Sequence, residues 1–156
     1  MFRNDDDELL EDPWKASIIT AAAPNRGAVI QNYIRNKNKK EKMSDSERTA
    51  IVVEEEAFKK VEEIIQETFG VRIDMVLSTA MNYGHRTLVL GAWGCGVFQN
   101  DPQKVARLFR TSLMKKCFQG AFDKVCFAVW DSSEGCTTFV DFHKILVSNE
   151  KSYEIY

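Results

Sequence analysis

Apolar residues fall along this chain in two rhythms. After Ser44 they settle into steps of three and four, at Val61, Ile64, Ile65, Thr68, Phe69, Ile73, Val76, Leu77 and Ala80. That spacing lays one stripe of a helix against a core. The stripe passes straight through Gly70, which costs about 1 kcal/mol relative to Ala inside a helix, so one long helix, or two joined or kinked there, is expected. Ser44 or Ser46 is its expected cap, with Glu47 at capping-box distance from Ser44, and Asn82-Tyr83-Gly84 its stop. A second stripe, Val105, Leu108, Phe109, Ser112 and Leu113, follows Asp101 (or Asn100) as N-cap and Pro102 as first helical residue. It ends at Lys115-Lys116, which suits the negative end of the helix dipole. Phe139, Phe142, Ile145 and Leu146 predict a short last helix.

In the other rhythm the apolar residues are continuous. Trp14–Ala23, Thr87–Leu90 and Lys124–Trp130 read as buried strands. Continuous strands alternating with helices predict an α/β fold with a largely parallel central sheet. Between the first strand and the long helix the chain turns polar and basic, with Arg35, Lys37, Lys39, Lys40 and Lys42 close together. We read 26–45 as a flexible insertion or loop. The glutamates Glu54, Glu55, Glu56, Glu62 and Glu63 spread around the helix wheel and read as a solvated face.

Composition narrows the class without naming a function. The 156 residues are 44% hydrophobic and 28% charged, with a formal net charge of −2, ordinary values for one globular domain. The charge gives no nucleic-acid signal, and no apolar run approaches the roughly 18 residues of a membrane span. Met1-Phe-Arg-Asn-Asp-Asp-Asp7 lacks the apolar core of a secretion signal. Cys95, Cys117, Cys126 and Cys136 form no CxxC pair, so reduced thiols in an intracellular protein are expected. His85 and His143 stand at no metal-ligand spacing, and no metal or cofactor is implied.

Chemistry concentrates after Leu90. In open α/β sheets ligands sit beyond the carboxyl ends of the strands, and three segments reach that edge: Ala22-Ala23-Pro24-Asn25, Gly91 to Phe98, and Asp131 to Gly135. The glycines of Gly91-Ala-Trp-Gly-Cys-Gly96 let a backbone approach a phosphate, with amides of the loop and of the following helix as donors. Phe98 could stack on a sugar or base. A tight strand-to-helix turn, its glycines needed only for packing, fits the same spacing, since the stretch is neither a Walker A loop nor GxGxxG. Cys95 has no His or carboxylate neighbour to activate it. Asp131 suits either a polar ligand contact or a cap.

The stretch Leu88-Val-Leu-Gly-Ala-Trp-Gly-Cys-Gly-Val-Phe-Gln-Asn-Asp-Pro-Gln-Lys-Val-Ala-Arg-Leu-Phe109 resembles the signature of the microbial-type poly(ADP-ribose) glycohydrolase family, a branch of the macrodomain superfamily. Ala22-Ala-Pro-Asn25, Arg72-Ile-Asp-Met-Val-Leu77 and Phe118-Gln-Gly-Ala-Phe-Asp-Lys-Val-Cys-Phe-Ala-Val129 support it. The resemblance implies a three-layer α/β/α sandwich that takes ADP-ribose or poly(ADP-ribose). It implies that Gly94, Cys95, Gly96, Val97 and Phe98 form the loop cradling the diphosphate and distal ribose; Gly91 joins that ligand set as the loop's first glycine, and Asn25 and Asp131 are further candidates from their place at the strand edge. Family catalysis rests on a glycine-rich loop followed by Gln-Glu-Glu, and these 156 residues contain neither Gln-Glu-Glu nor Gly-Gly-Gly. Met1 aligns near the middle of a family member, so the expectation is a single partial domain over 1–156 that resembles the C-terminal half and lacks its opening strands. No catalytic residue is assigned. Binding without autonomous hydrolysis is the first reading. A fragment of a full enzyme, or a non-catalytic interaction protein pairing with a partner or a second copy through an exposed sheet edge, is the alternative.

Overall fold

The computed structural model describes residues 6–13, 15–40, 47–147 and 154–155. Its elements run α1 (Arg26–Lys40), α2 (Glu47–Asn82), β1 (Thr87–Leu90), α3 (Pro102–Leu113), β2 (Lys124–Phe127), α4 (Thr137–Leu146) and β3 (Glu154–Ile155). The three strands form a parallel sheet in the order β1-β2-β3, with Leu88 opposite Val125 and Leu90 opposite Phe127. The α/β class with a parallel sheet, macrodomain-like in type, is therefore the one expected. β3 is a short addition that no pattern in the sequence announces.

α2 runs unbroken through Gly70. A Cβ added there would meet nothing within 4 Å, so neither kink nor join is needed. Val61, Ile65, Phe69, Ile73 and Leu77 step by four along it and are all buried, with Ala80 at the end. The stop forms as expected: Gly84 at φ +76 ends the helix, and its amide and that of His85 return to the carbonyls of Met81 and Ala80, the 5→2 and 6→1 pair of a Schellman motif. The expected caps Ser44 and Ser46 lie outside the described residues. A row of aromatic rings binds the layers, with successive centroids at 5.5 Å (Phe69–Trp93), 6.5 Å (Trp93–Phe109), 5.4 Å (Phe109–Phe127) and 5.9 Å (Phe127–Phe142). It crosses from α2 through the glycine loop, α3 and β2 to α4.

Three expectations are corrected. Residues 15–23 form no strand, and Trp14 is outside the described residues. The carbonyls at the end of this stretch are taken by side chains: Arg72 Nη1 donates to Ala22 (2.6 Å), Trp93 Nε1 to Ala21 (3.2 Å) and Asn100 Nδ2 to Pro24 (2.8 Å). The basic stretch expected as a loop is helical over Arg26–Lys40. Asn25 caps it, its Oδ1 accepting from the Ala28 amide at 3.0 Å, and Val29, Ile30 and Tyr33 pack on the core. Glu62 is no solvated residue. Its carboxylate bridges Arg26 Nε (2.6 Å) and Lys104 Nζ (2.5 Å), joining α1, α2 and α3. Burial alone would raise this carboxyl, but the two cations outweigh it and hold Glu62 below the usual carboxylate range.

Candidate functional site

β1 ends at Leu90, and the chain then folds back on itself before α3. Four amides close the loop: Trp93 on Gly91 (2.8 Å), Cys95 on Ala92 (3.1 Å), Gln99 on Gly96 (2.8 Å) and Asn100 on Gly94 (3.2 Å). The amides of Gly96, Val97 and Phe98 have no acceptor among the described residues. Successive free N–H groups on a tight loop make a concave anion-binding surface. They border a groove of about 440 Å³ whose walls are Ala21, Ala22 and Ala23 on one side and Trp93, Gly94, Gly96, Val97 and Phe98 on the other. That size falls in the range of small-molecule sites, roughly 300–1,000 Å³.

The two central glycines differ in what demands them. Gly94 has φ +75, and a Cβ on it would lie 2.7 Å from both Ala23 Cβ and Asn100 Nδ2, closer than any real contact. The fold itself requires this glycine. A Cβ on Gly96 would meet nothing within 4 Å, and its φ lies outside the left-handed region. Among the described residues nothing demands a glycine at 96, and its Cα faces open space beside amides without an acceptor there.

Of the residues expected at the site, Gly94, Gly96, Val97 and Phe98 line the groove. Gly91 does not. It sits at the end of β1, a Cβ there standing 3.4 Å from the Ala128 carbonyl. Cys95 also turns away, packing half-buried on the core with its thiol toward the Trp93 carbonyl at 3.8 Å. Burial, with the Asp101 carboxylate adding to it, pushes this thiol up to about 12. It stays protonated and is no nucleophile.

Both further candidates act as caps. Asn25 caps α1, as described. Asp131 accepts from the amides of Ser133 (2.9 Å), Thr138 (2.7 Å) and Phe139 (3.4 Å). The Ser133 side chain and these amides pull its carboxyl down to about 2. The N-terminus of α3 is likewise taken. Asp101 Oδ1 receives the amides of Gln103 (2.8 Å) and Lys104 (3.2 Å), so anion donors come from the loop and not from that helix.

Asn100, which the sequence offered only as a cap for α3, ties the groove walls together. It is 4% exposed, and its Nδ2 donates at 2.8 Å to both Pro24 and Gly94 carbonyls, clamping one wall of the groove to the other. Its place just before an obvious cap hid it. Among the described residues no three metal-ligating side chains cluster, and no helix is long and apolar enough to cross a membrane.

No protein-family model and no curated protein matches the sequence. Solved structures do. Poly(ADP-ribose) glycohydrolase from Deinococcus radiodurans in complex with ADP-ribose is 38% identical, with a TM-score of 0.66 over 94% of this chain and 48% of that one. The enzyme from Thermomonospora curvata is 35% identical, with a TM-score of 0.65 over 92% of this chain and 43% of that one. The same enzyme bound to the inhibitor ADP-HPD gives 35% and 0.65, covering 44% of its length. This chain thus spans about half the length of the enzymes it matches. In fold, and at more than a third of its aligned positions, it resembles the C-terminal half of the bacterial poly(ADP-ribose) glycohydrolases.

Proposed function

We propose that this chain binds ADP-ribose, free or at the end of a polymer, in the groove below the glycine loop. The amides of Gly96, Val97 and Phe98 receive the diphosphate, and the half-buried ring of Phe98 supports the adjoining ribose. One observation carries the reading: Gly96 lies open beside three unpaired amides, and no packing demand accounts for it. The groove offers an anion no cation of its own. Affinity must come from oriented amide dipoles in a partly desolvated cleft, where they act more strongly than in water.

The proposal does not extend to autonomous hydrolysis. Cleaving a ribosyl bond needs a carboxyl placed to protonate the leaving oxygen, and the described residues lining the groove include none. The nearby acids are committed, Asp101 to the α3 amides and Glu62 to Arg26 and Lys104. Calorimetric titration with ADP-ribose tests the reading. Saturable heat is expected from the parent chain and none from Gly96→Glu, which sets a carboxylate against the diphosphate without altering the melting temperature. Absence of heat at millimolar ADP-ribose, or unchanged binding in Gly96→Glu, refutes it.

A further inference from the structure

Two buried side-chain oxygens, Asp74 Oδ1 and Asn100 Oδ1, have no hydrogen-bond donor among the described residues. The Asp74 side chain is 35% exposed and has Lys115 on its other oxygen. Asn100 has no such outlet, being 4% exposed as a residue. Its Nδ2 donates to the carbonyls of Pro24 and Gly94, both at 2.8 Å. Two carbonyls can receive only from the amide nitrogen, so this network fixes which arm of the side chain is the oxygen. Native folds seldom leave such an oxygen without a donor, since it has given up its hydration and gained nothing for it.

Asn100 also lines a small cleft between α2 and α3, separate from the groove, where Ile65 and Val105 are apolar walls and Arg26, Glu62, Asp101 and Lys104 are polar ones. Its volume of about 10 Å³ stands at the lower limit of roughly 10–15 Å³ for one water, so one fits and two do not. The surrounding charges select what enters. Arg26 and Lys104 repel a cation, while Glu62 and Asp101 repel an anion. Oδ1, an acceptor, calls for a donor. A small neutral donor meets all three conditions. Glu62 is the acceptor best suited to share it, with its side chain 19% exposed and held by Arg26 on one oxygen and Lys104 on the other. A carboxylate has about four lone-pair sites, so each oxygen keeps one to spare.

We propose that this cleft is a binding site for a single water molecule, which donates one hydrogen to Asn100 Oδ1 and the other to the Glu62 carboxylate. The water makes one hydrogen-bonded unit of two features that share no direct bond. On one side Glu62 gathers α1, α2 and α3 through Arg26 and Lys104. On the other, Asn100 holds Pro24 to Gly94 across the groove walls. Glu62 is thereby a positioning residue for those walls, acting through the water and Asn100. The site owes nothing to a ligand in the groove and is tested without one.

Water–protein NOE spectroscopy on the isotope-labelled 156-residue chain tests this at the Asn100 side-chain amide. A direct cross-peak with water is expected, of the sign that a long-held molecule gives. Lys104→Met removes the ammonium, whose exchanging protons could carry the same signal, and should keep the cross-peak. Glu62→Leu removes the shared acceptor and should weaken it at least tenfold, with the Asn100 amide resonances still at their hydrogen-bonded positions. A purely structural role for Glu62 would leave the cross-peak in place. No cross-peak in the parent chain, its loss in Lys104→Met or its full strength in Glu62→Leu would each overturn the proposal, the second by giving Oδ1 to the ammonium. Should Glu62→Leu unfold the chain, a crystal structure of the parent decides. A solvent peak within about 3 Å of both Asn100 Oδ1 and a Glu62 oxygen is then expected, and an empty cleft overturns the site.

Discussion

Replacing Gly94 and Gly96 one at a time by alanine separates what the fold needs from what a ligand needs. At Gly94 the added methyl group carries two costs. A side chain at φ +75 loses about 1–2 kcal/mol to contact with its own backbone. The 2.7 Å approaches to Ala23 Cβ and Asn100 Nδ2 add a packing strain of about 1–3 kcal/mol. Asn100 cannot retreat without releasing the Pro24 or Gly94 carbonyl, so the upper part of the combined range, about 2–5 kcal/mol, applies. For a chain of this length that is a fall in Tm of roughly 10 °C. At Gly96 the methyl group enters open space, and the change should stay within about 0.5 kcal/mol. Urea titration followed by tryptophan fluorescence, read alongside ADP-ribose titration of both folded variants, tests the contrast. Equal stability of the two variants, or a Gly94→Ala loss under about 0.5 kcal/mol, would refute the division of roles.

Four further outcomes are expected. Asn100→Ala removes one buried and one part-buried hydrogen bond and should cost about 2 kcal/mol in urea, with ADP-ribose affinity falling as the groove walls part. Gly70→Ala, facing open space in mid-helix, should stabilise by up to about 1 kcal/mol in a thermal melt. Acid should weaken the fold through two carboxyls whose folded pKa values lie below their unfolded ones. Asp131 contributes fully above about pH 4, and its share is lost between about 4 and about 2. Glu62 likewise contributes above about 4.3 and fades as the pH falls below that. Asp131→Asn and Glu62→Gln should each flatten the acid limb of a stability-against-pH curve, and an unchanged limb would contradict the assignments. Finally, iodoacetamide at pH 8 should modify the exposed Cys117 and Cys136 well before Cys95, as read by peptide mass spectrometry.

Local chemistry made much of this molecule readable in advance. The four-residue stride of α2, the Asp101-Pro102 start of α3 and the Gly84 stop are each decided by residues within one or two turns. Their outcomes therefore follow from short stretches of sequence. The misread parts depend on distant partners. Ile18 and Ile19 have strand character, yet no described strand pairs with them, and donors 50 to 76 positions away take the neighbouring carbonyls. α1 looked like loop because its apolar residues are few; what holds it is packing against α2 and the Arg26–Glu62 pair. At the candidate site, the glycine spacing indicated a loop beside a groove but not which glycines line it. Asn25 and Asp131 follow the ends of apolar runs, where a ligand contact or a cap reads alike, and only the three-dimensional hydrogen bonding shows them occupied as caps.

The row of rings from Phe69 to Phe142 has a consequence for the stiffness of the groove. Trp93 belongs both to that row and to the groove wall, so the loop cannot swing open without disturbing the centre of the molecule. The groove surface is therefore built by the fold itself. Association then spends little free energy on ordering the chain, and occupancy should register as a rise in the melting temperature of the whole molecule, with no separate folding event in the loop.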